Sequence, residues 1–596
     1  MTDSKRSTEP AELQRAEADT VMFASVRAVL PNATRENRFV GLDPEPPGQP
    51  PGRPAPPAGI GPRSARHQKG NRPRVVRPRP VRPPLDHQSG PAGTPRRVWV
   101  SRGVLALILV LQTLLTLRMS NTAFEDEGLY LYVGHLEIRH LLHGVALQGD
   151  YPSYFSGAPV LYPVLGALAD SVGGLAAARA LSLIEMLAVT GLIYAMTRRL
   201  FNERAGLCAA VVYAVTEPAL FLGHLATYDA TALFLLTLAA WLVVRFAAAA
   251  RPLYLLAAPV LTLAVATKYA TLLFVPSVIG LAGLAAAPRL GRKAAITSAA
   301  LGAATVALLL AAAWAAGPDY LTGFKFTTLD RFEGGTSTGS LLWDVAQWVG
   351  VPFLLAVVGA VGYALRPFTE PGEQLAPSGG RLRRALLGGL MAGSALLAPV
   401  EQIRIHTETS LFKHVGFGLM LAAPIAGVGL ARIVGDHFRR TQVGIAIWGL
   451  SLAVGMTCAN NLFNAWPNSS VFITDLARYV RPHARYLVEV DEVPIYYLRD
   501  NPGAQPRQFT STYYIGYTTR QGQFLTGDAG YVAAIKAGYF NVVAFNYQTT
   551  PAVDAVLART LAADPDYTLA DVIPNGNDTV RQYVWVKTGS VAAGHG

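Results

Sequence analysis

Residues 229–249 read DATALFLLTLAAWLVVRFAAA, an apolar stretch with one acid at its start and one arginine near its end. A helix of about 20 apolar residues crosses the roughly 30 Å hydrocarbon core of a bilayer, so this stretch predicts a membrane span. Similar stretches recur through the middle of the chain. The sequence therefore predicts a mainly α-helical protein, a polytopic membrane helical bundle.

The composition agrees with this prediction. The chain has 596 residues, of which 51% are hydrophobic and only 15% charged, whereas soluble domains carry about 25% charged residues. Its two cysteines exclude a disulfide-stapled scaffold and a cysteine-ligated zinc module. Of the formal net charge of +12, +8 lies in the first 97 residues, so the basic excess belongs mainly to one segment and we expect no nucleic-acid partner.

The composition divides the chain into three regions. Residues 1–95 hold 18 of the 41 prolines and no apolar periodicity, which predicts a disordered, Arg-rich cytoplasmic tail. Residues 96–460 predict the transmembrane domain. Residues 461–596 predict an extracytoplasmic α/β domain, because the strand-like runs RYLVEV, PIYYL, NVVAFNY and RQYVWVKT alternate with helix-like runs.

About eleven spans are predicted within the transmembrane domain. Their approximate bounds are 98–118, 175–197, 205–222, 229–249, 252–267, 269–287, 295–316, 341–365, 384–400, 411–431 and 442–459. Fifteen Lys and Arg residues fall in the loops on one side and seven in the loops on the other. Because cytoplasmic loops are rich in Lys and Arg, this asymmetry predicts a multi-pass protein of the cell membrane with a cytoplasmic N-terminus and an extracytoplasmic C-terminal domain.

The first outer loop, residues 119–174, opens with the sequence Asn-Thr-Ala-Phe-Glu-Asp-Glu-Gly-Leu-Tyr, in which Glu125, Asp126 and Glu127 are consecutive acids. A carboxylate just beyond a span end can take a proton from an acceptor hydroxyl. The residues that follow have helical spacing, so Asp126 and Glu127 are expected in the first turn of an amphipathic helix. Simple N-terminal capping by acids is the structural alternative.

Further candidates lie on the same predicted side of the membrane. Asp229 opens the span quoted above, where an N-cap is the structural alternative. Basic groups at span ends are Lys268, Arg404 and the pair Lys413 and His414. Acids and cations on one face suit the handling of a phosphate ester, although such cations also anchor helices at headgroup level.

Together these segments resemble the GT-C type membrane glycosyltransferases. The similarity is to family 39, the protein mannosyltransferase and aminoarabinose transferase-like group. It is carried by the Asp126-Glu127 pair in a long outer loop, the helix with Tyr130, the APVLYP segment and the runs RALSLIEMLAVTGLIYAMTRRLF and LATYDATALFLLTLAAWL. The resemblance implies a polyprenyl-phosphate sugar donor and transfer with inversion to a hydroxyl acceptor on a protein, a lipid or a polysaccharide. It also implies that Asp126 is the catalytic base, Glu127 its neighbour and Asp229 the second acid of the family.

One segment departs from the family. Many relatives carry a His or a Glu-Lys before the Pro-Pro of the first loop, whereas this chain reads Phe-Ser-Gly-Ala-Pro-Val over residues 155–160. Substrate contacts are therefore expected from Tyr130, Lys268, Arg404, Lys413 and His414. No complete set of metal ligands is present in the pattern; a divalent metal ion held by Asp126, Glu127 and Asp229 is the alternative.

Two other functions fit a membrane protein. A transporter or lipid flippase predicts ionisable residues near the bilayer midplane and an internal repeat, but only Glu185 falls clearly within a span and no repeat is obvious. A non-catalytic membrane scaffold is the third hypothesis. The partners expected for the transferase are the donor lipid, the hydroxyl acceptor and the surrounding membrane lipids.

Overall fold

The computed structural model of the protein describes residues 95–147, 149–247, 249, 251–331, 333–366, 380–435, 438–574 and 580–588. Residues 1–94 of the predicted disordered tail, residues 1–95, lie outside the described residues.

The membrane region is built from helices. They are α1 (Pro95–Leu117), α2 (Glu125–His143), α3 (Tyr162–Leu200), α4 (Glu203–Tyr213), α5 (Glu217–Leu222), α6 (Tyr228–Phe246), α7 (Ala257–Thr267), α8 (Val275–Leu290), α9 (Ala294–Ala316), α10 (Pro318–Phe324), α11 (Thr338–Leu365), α12 (Arg381–Ser394), α13 (Leu397–Arg404), α14 (Leu411–Val434) and α15 (Thr441–Phe463).

The predicted polytopic helical bundle is confirmed, but the predicted number of eleven spans is not. Within the described ranges, seven helical segments are long and apolar enough to cross a membrane, or eight if the pair α12 and α13, bent by 48°, forms one span. Residues 205–222, predicted as one span, form the two short helices α4 and α5. The break precedes Pro218, which lies in the first turn of α5, where a proline is tolerated. In the interior of one continuous helix, the same proline would disrupt the backbone hydrogen bonds.

Helix α14 lies at the centre of the bundle and is buried along nearly its whole length. Its glycines allow neighbouring backbones to approach. A Cβ on Gly427 would lie 2.4 Å from the carbonyl oxygen of Ala205, and one on Gly429 would lie 2.0 Å from that of Leu355. Small residues at such crossings give close helix packing in membranes, and here they hold the C-terminal half of α14 against α4 and α11.

The C-terminal region forms the predicted α/β domain. Its helices are α16 (Ser470–Tyr479), α17 (Glu492–Tyr497), α18 (Gly527–Lys536) and α19 (Pro551–Ala562), and its strands are β1 (Tyr486–Val488), β2 (Phe509–Ser511), β3 (Gly516–Thr518), β4 (Phe524–Thr526), β5 (Val542–Phe545), β6 (Tyr567–Pro574) and β7 (Arg581–Lys587). A five-stranded sheet has the order β2-β1-β5-β7-β6, and β3 pairs with β4. Strand β1 is parallel to β2 and β5, whereas β7 is antiparallel to β5 and β6.

The prediction that PIYYL is a strand is wrong, because Pro494 to Tyr497 belong to helix α17 and Leu498 follows its end. Both tyrosines of the segment contact the membrane region. The Tyr496 hydroxyl donates to Asp170 Oδ1 at 2.5 Å, and the Tyr497 hydroxyl accepts from the Ala123 amide at 2.7 Å. These tertiary contacts override the preference of tyrosine and isoleucine for strands.

Candidate active site

The first turn of α2 directs its three acids to three different parts of the molecule, because successive residues of a helix are rotated by about 100°. Glu125 accepts a hydrogen bond of 3.0 Å from the Tyr513 hydroxyl of the C-terminal domain. Asp126 forms an ion pair with Lys413. Glu127 points into the protein. The predicted helix and the predicted location of the acids in its first turn are both found.

Glu127 is fully buried in an ion pair with Arg179, at 2.6 Å between Oε2 and Nη2. Its carboxylate also accepts from the amides of Phe124 at 2.9 Å and Ala226 at 2.7 Å. The second oxygen accepts from Arg179 Nε at 2.8 Å. Both oxygens are therefore occupied by donors of the protein, and the side chain joins the first outer loop to α3 without lining the cavity described next.

A cavity of about 520 Å³ opens between the membrane region and the C-terminal domain. Five residues of the predicted site line it: Asp126, Tyr130, Lys268, Lys413 and His414. The C-terminal domain contributes a wall that includes Arg507, Tyr513 and Tyr514. Acidic and basic side chains thus meet in one polar cavity at the end of the helical bundle.

Asp126 is held at the cavity from two sides. One carboxylate oxygen contacts Lys413 Nζ, and the other accepts from the Tyr130 hydroxyl at 3.2 Å. The Asp126 side chain is 27% exposed, whereas that of Lys413 is 3% exposed. Lys413 Nζ lies 5.4 Å from the ring centroids of both Phe124 and Phe412. The carboxylate therefore keeps an open side toward the cavity while its counter-ion is enclosed.

A second acid–lysine pair lies beside the first. Asp229, in the first turn of α6, is 2.5 Å from Lys268 Nζ, and both side chains are buried. Asp229 Oδ2 also accepts from the Thr227 hydroxyl at 3.0 Å. Lys268 Nζ lies 4.8 Å above the ring of Tyr228. The helical path breaks at Lys268, where its extended backbone separates α7 from a 3₁₀ turn over Tyr269–Phe274, and the buried lysine lies in the wall of the cavity.

The remaining predicted residues differ in their placement. His414 lines the cavity, and its Nδ1 lies 3.3 Å from Gln402 Nε2. Arg404 does not line the cavity; it forms an exposed ion pair with Glu401 at 2.7 Å, within the same helix. Arg331 was not among the predicted residues, yet it lines the cavity and donates to the Thr409 carbonyl at 2.6 Å.

The geometry does not favour the metal alternative. Each of the three acids is paired with a different cation: Asp126 with Lys413, Glu127 with Arg179, and Asp229 with Lys268. Over the ranges that the structure describes, no group of three or more His, Cys, Asp or Glu residues is arranged to hold a metal ion.

The C-terminal domain is joined to the membrane region through Asp170 of α3. Asp170 Oδ2 lies 2.7 Å from His135 Nε2 and 2.9 Å from Arg499 Nη2. Its other oxygen accepts from Tyr496. One buried carboxylate therefore links α3, the first outer loop and the C-terminal domain, next to the helix that carries Asp126.

Comparisons with known proteins agree with this architecture. Residues 159–316 match the model of a family described as dolichyl-phosphate-mannose-protein mannosyltransferase. The structure is similar to that of ArnT from Cupriavidus metallidurans bound to undecaprenyl phosphate, with a TM-score of 0.52 and 14% identity over 84% of this chain and 99% of that chain. No curated protein matches the sequence significantly.

Two further similarities are weaker. The oligosaccharyltransferase of Archaeoglobus fulgidus in the apo form gives a TM-score of 0.49 and 12% identity, over 76% of this chain and 71% of that chain. The arabinofuranosyltransferase AftD from Mycobacteria gives 0.45 and 15%, over 82% of this chain and 40% of that chain. The family match and the ArnT fold confirm the predicted GT-C glycosyltransferase fold and the resemblance to the family 39 group of protein mannosyltransferases and aminoarabinose transferase-like enzymes.

Proposed function

We propose that this protein is an inverting glycosyltransferase that moves a sugar from a polyprenyl-phosphate donor to a hydroxyl acceptor on the extracytoplasmic face, with Asp126 as general base. The observation that carries this proposal is the partly exposed Asp126 carboxylate beside two enclosed lysines in one cavity. ArnT, whose fold is similar, was crystallised with undecaprenyl phosphate.

The lysines and Arg331 supply the charge that a donor phosphate needs. Lys268, Lys413 and Arg331 line the same cavity. Charged donors stabilise the negative charge that grows on a departing phosphate, and they do so most strongly where water is excluded. The prenyl tail of such a donor stays in the bilayer, so a site at the ends of the spans meets its phosphate at headgroup depth.

Asp126 is suited to act as the base. When the acceptor oxygen attacks the anomeric carbon, its O–H bond breaks and the proton moves to Asp126, while the bond between the anomeric carbon and the phosphate oxygen breaks on the opposite side. Attack opposite to the leaving group inverts the anomeric centre. The ion pair with Lys413 holds the carboxylate in place, and its exposed side faces the space that the acceptor would enter.

The proposed orientation has a cytoplasmic N-terminus and the C-terminal domain outside. It rests on the Lys and Arg asymmetry of the loops. The first outer loop and the C-terminal domain border the same cavity, as this orientation requires.

The test is the variant Asp126→Asn, assayed in membranes supplied with radiolabelled polyprenyl-phosphate sugars of several kinds. We expect the rate of transfer to fall by about 10²- to 10⁴-fold, the usual contribution of a general base. Asp566→Asn, on the exposed surface of the C-terminal domain, is the matched control and should keep the wild-type rate. Unchanged transfer by Asp126→Asn would refute the proposed mechanism. Movement of intact donor lipid across the membrane without transfer would favour a flippase instead.

A further inference from the structure

A row of hydroxyl groups leads away from Asp126 along the wall of the cavity. The Tyr130 hydroxyl lies 3.2 Å from Asp126 Oδ1 and 2.5 Å from the Tyr228 hydroxyl. The Tyr228 hydroxyl is hydrogen-bonded in turn to Ser156 Oγ. All four residues line the cavity. The row therefore starts at the carboxylate and reaches the cavity again at a second point.

That second point lies next to Lys268. The Ser156 carbonyl accepts a hydrogen bond of 2.8 Å from the amide of Tyr269, the residue that follows Lys268. Lys268 itself lies over the ring of Tyr228. Ser156 is thus at the cationic part of the cavity, where the proposed function brings the phosphate of the donor.

The hydrogen bonds of the row have one consistent direction. A hydroxyl group has a single proton to donate and accepts through its lone pairs. If Asp126 is ionised, the proton of Tyr130 points to it, so Tyr130 accepts from Tyr228, and Tyr228 accepts from Ser156. Protonation of Asp126 reverses every bond of the row.

The rings of the two tyrosines are held in place, and Tyr130 remains protonated. Their ring centroids are 4.3 Å apart, and the ring of Tyr130 also packs edge-on against Phe155 at 5.3 Å. Burial, together with the charge of Asp126, raises the pKa of Tyr130 well above its usual value. Tyr130 therefore passes a proton on without accumulating charge.

We propose that Tyr130, Tyr228 and Ser156 form a proton relay that removes the acceptor proton from Asp126 after each transfer. This inference rests on the proposed function. In one shift, the Asp126 proton moves to the Tyr130 oxygen, the Tyr130 proton to Tyr228, the Tyr228 proton to Ser156, and the Ser156 proton to the departing phosphate. A phosphate monoester accepts it readily, because its second pKa is about 6. One proton leaves Asp126, one reaches the phosphate, and each hydroxyl group is neutral again.

The relay explains how the base can be restored while the cavity is filled. Donor and acceptor together block the route from Asp126 to bulk water through the cavity, whereas the row of hydroxyl groups runs in its wall. The relay also returns the proton to the product that needs it, so no second base is required.

The test uses Tyr130→Phe, Tyr228→Phe and the double variant, each of which removes only hydroxyl oxygens and keeps the packed rings. In steady-state assays over many turnovers in detergent, each single variant should transfer sugar about 10- to 100-fold more slowly, with the KM for the donor changed less than twofold. Because either change interrupts the same row, the double variant should be no slower than the slower single variant. Tyr213→Phe is the control, because Tyr213 is fully buried and its hydroxyl has no hydrogen-bond partner within the described ranges. The Tyr213→Phe variant should transfer sugar at the wild-type rate.

A second readout separates a relay from a merely structural role. In mixtures of H₂O and D₂O, the wild-type rate should depend on the deuterium fraction along a curve, because several protons move together, and the two single variants should give a straight line. Additive losses in the double variant, or a curved dependence in Tyr228→Phe, would overturn the relay. If Asp126→Asn is inactive while the tyrosine variants match the wild type, only the relay fails; if Asp126→Asn is active, the proposed function itself fails.

Discussion

Asp126 and Glu127 are neighbours in the chain, yet their surroundings give them different chemistry. Glu127 is closed off by Arg179 and by two backbone amides. Asp126 has one lysine, one tyrosine hydroxyl and an open side. A carboxylate whose oxygens are filled by the protein holds structure together, whereas one that is partly open is available to a substrate.

Replacing Glu127 by Gln should therefore damage the fold more than the chemistry. The change leaves the Arg179 guanidinium, 7% exposed, without its counter-charge. Breaking one partner of a buried pair costs about 3–5 kcal/mol. We expect a clearly lower unfolding temperature in detergent, measured by the fraction that remains monodisperse after heating. Asp566→Asn, on the exposed surface of the C-terminal domain, is the comparison and should unfold near the wild-type temperature; equal stability of the two variants would contradict the assignment.

Two of the predicted site residues that line the cavity are basic residues at the ends of spans. Lys268 lies at a helix break and Lys413 in the first turn of a helix, so the span pattern alone predicts that both lie at the ends of spans. Arg404 fits the same pattern, but its guanidinium turns to Glu401 three residues earlier. The sequence predicts that a residue lies at a span end, but it does not give the direction of its side chain around the helix.

At the scale of elements, α2 is held between two neighbours by glycines. A Cβ on Gly134 would lie 1.9 Å from the Pro163 carbonyl oxygen at the start of α3. A Cβ on Gly128 would lie 2.9 Å from the carbonyl oxygen of Glu492 in α17. The helix that carries Asp126 is therefore in close backbone contact with both the membrane region and the C-terminal domain.

Gly134→Ala should push α2 away from α3 and displace Asp126. Overpacking of this kind costs about 1–3 kcal/mol, and we expect a lower unfolding temperature together with slower sugar transfer. Gly191→Ala, also within a helix, is the control because no atom lies within 4 Å of the added Cβ. That variant should be neutral or slightly more stable, since alanine favours helices over glycine by about 1 kcal/mol. Identical behaviour of the two variants would show that the close contact has no role.

The apolar stretches of the sequence predicted the positions of the helices. They did not predict the positions at which the helices break. The break before α5 and the bend between α12 and α13 lie within continuous apolar runs. Hydropathy reports burial in lipid or protein equally well, so it cannot separate a straight span from two short buried helices. The helix α17 was missed for another reason, because its tyrosines are fixed by partners more than 300 residues away.

At the scale of the whole molecule, Asp170 determines how the C-terminal domain sits on the membrane region. Its carboxylate is buried and shared by His135, Tyr496 and Arg499. No local pattern in the sequence predicts this junction. Likewise, the contact between Glu125 and Tyr513 joins residues 388 positions apart, which is why the wall that the C-terminal domain gives to the cavity was not predicted.

Asp170→Asn should loosen this junction. The amide retains the shape of the side chain but removes the charge that faces Arg499, so we expect faster release of the C-terminal domain by limited proteolysis and a fall in sugar transfer. Asp566→Asn, exposed on the same domain, should leave the digestion pattern unchanged. A stable junction in Asp170→Asn would assign the docking to the apolar contacts of α17 instead.

The pairing of Asp126 with Lys413 also bears on the order in which the protein is made. The two residues are 287 positions apart, so Asp126 is synthesised long before its ion-pair partner. During that interval the first outer loop has its acid without the lysine that the proposed reaction uses for the phosphate. On the proposed function, a chain that stops before Lys413 lacks the ion-pair partner of Asp126, so we expect it neither to transfer sugar nor to hydrolyse the donor lipid.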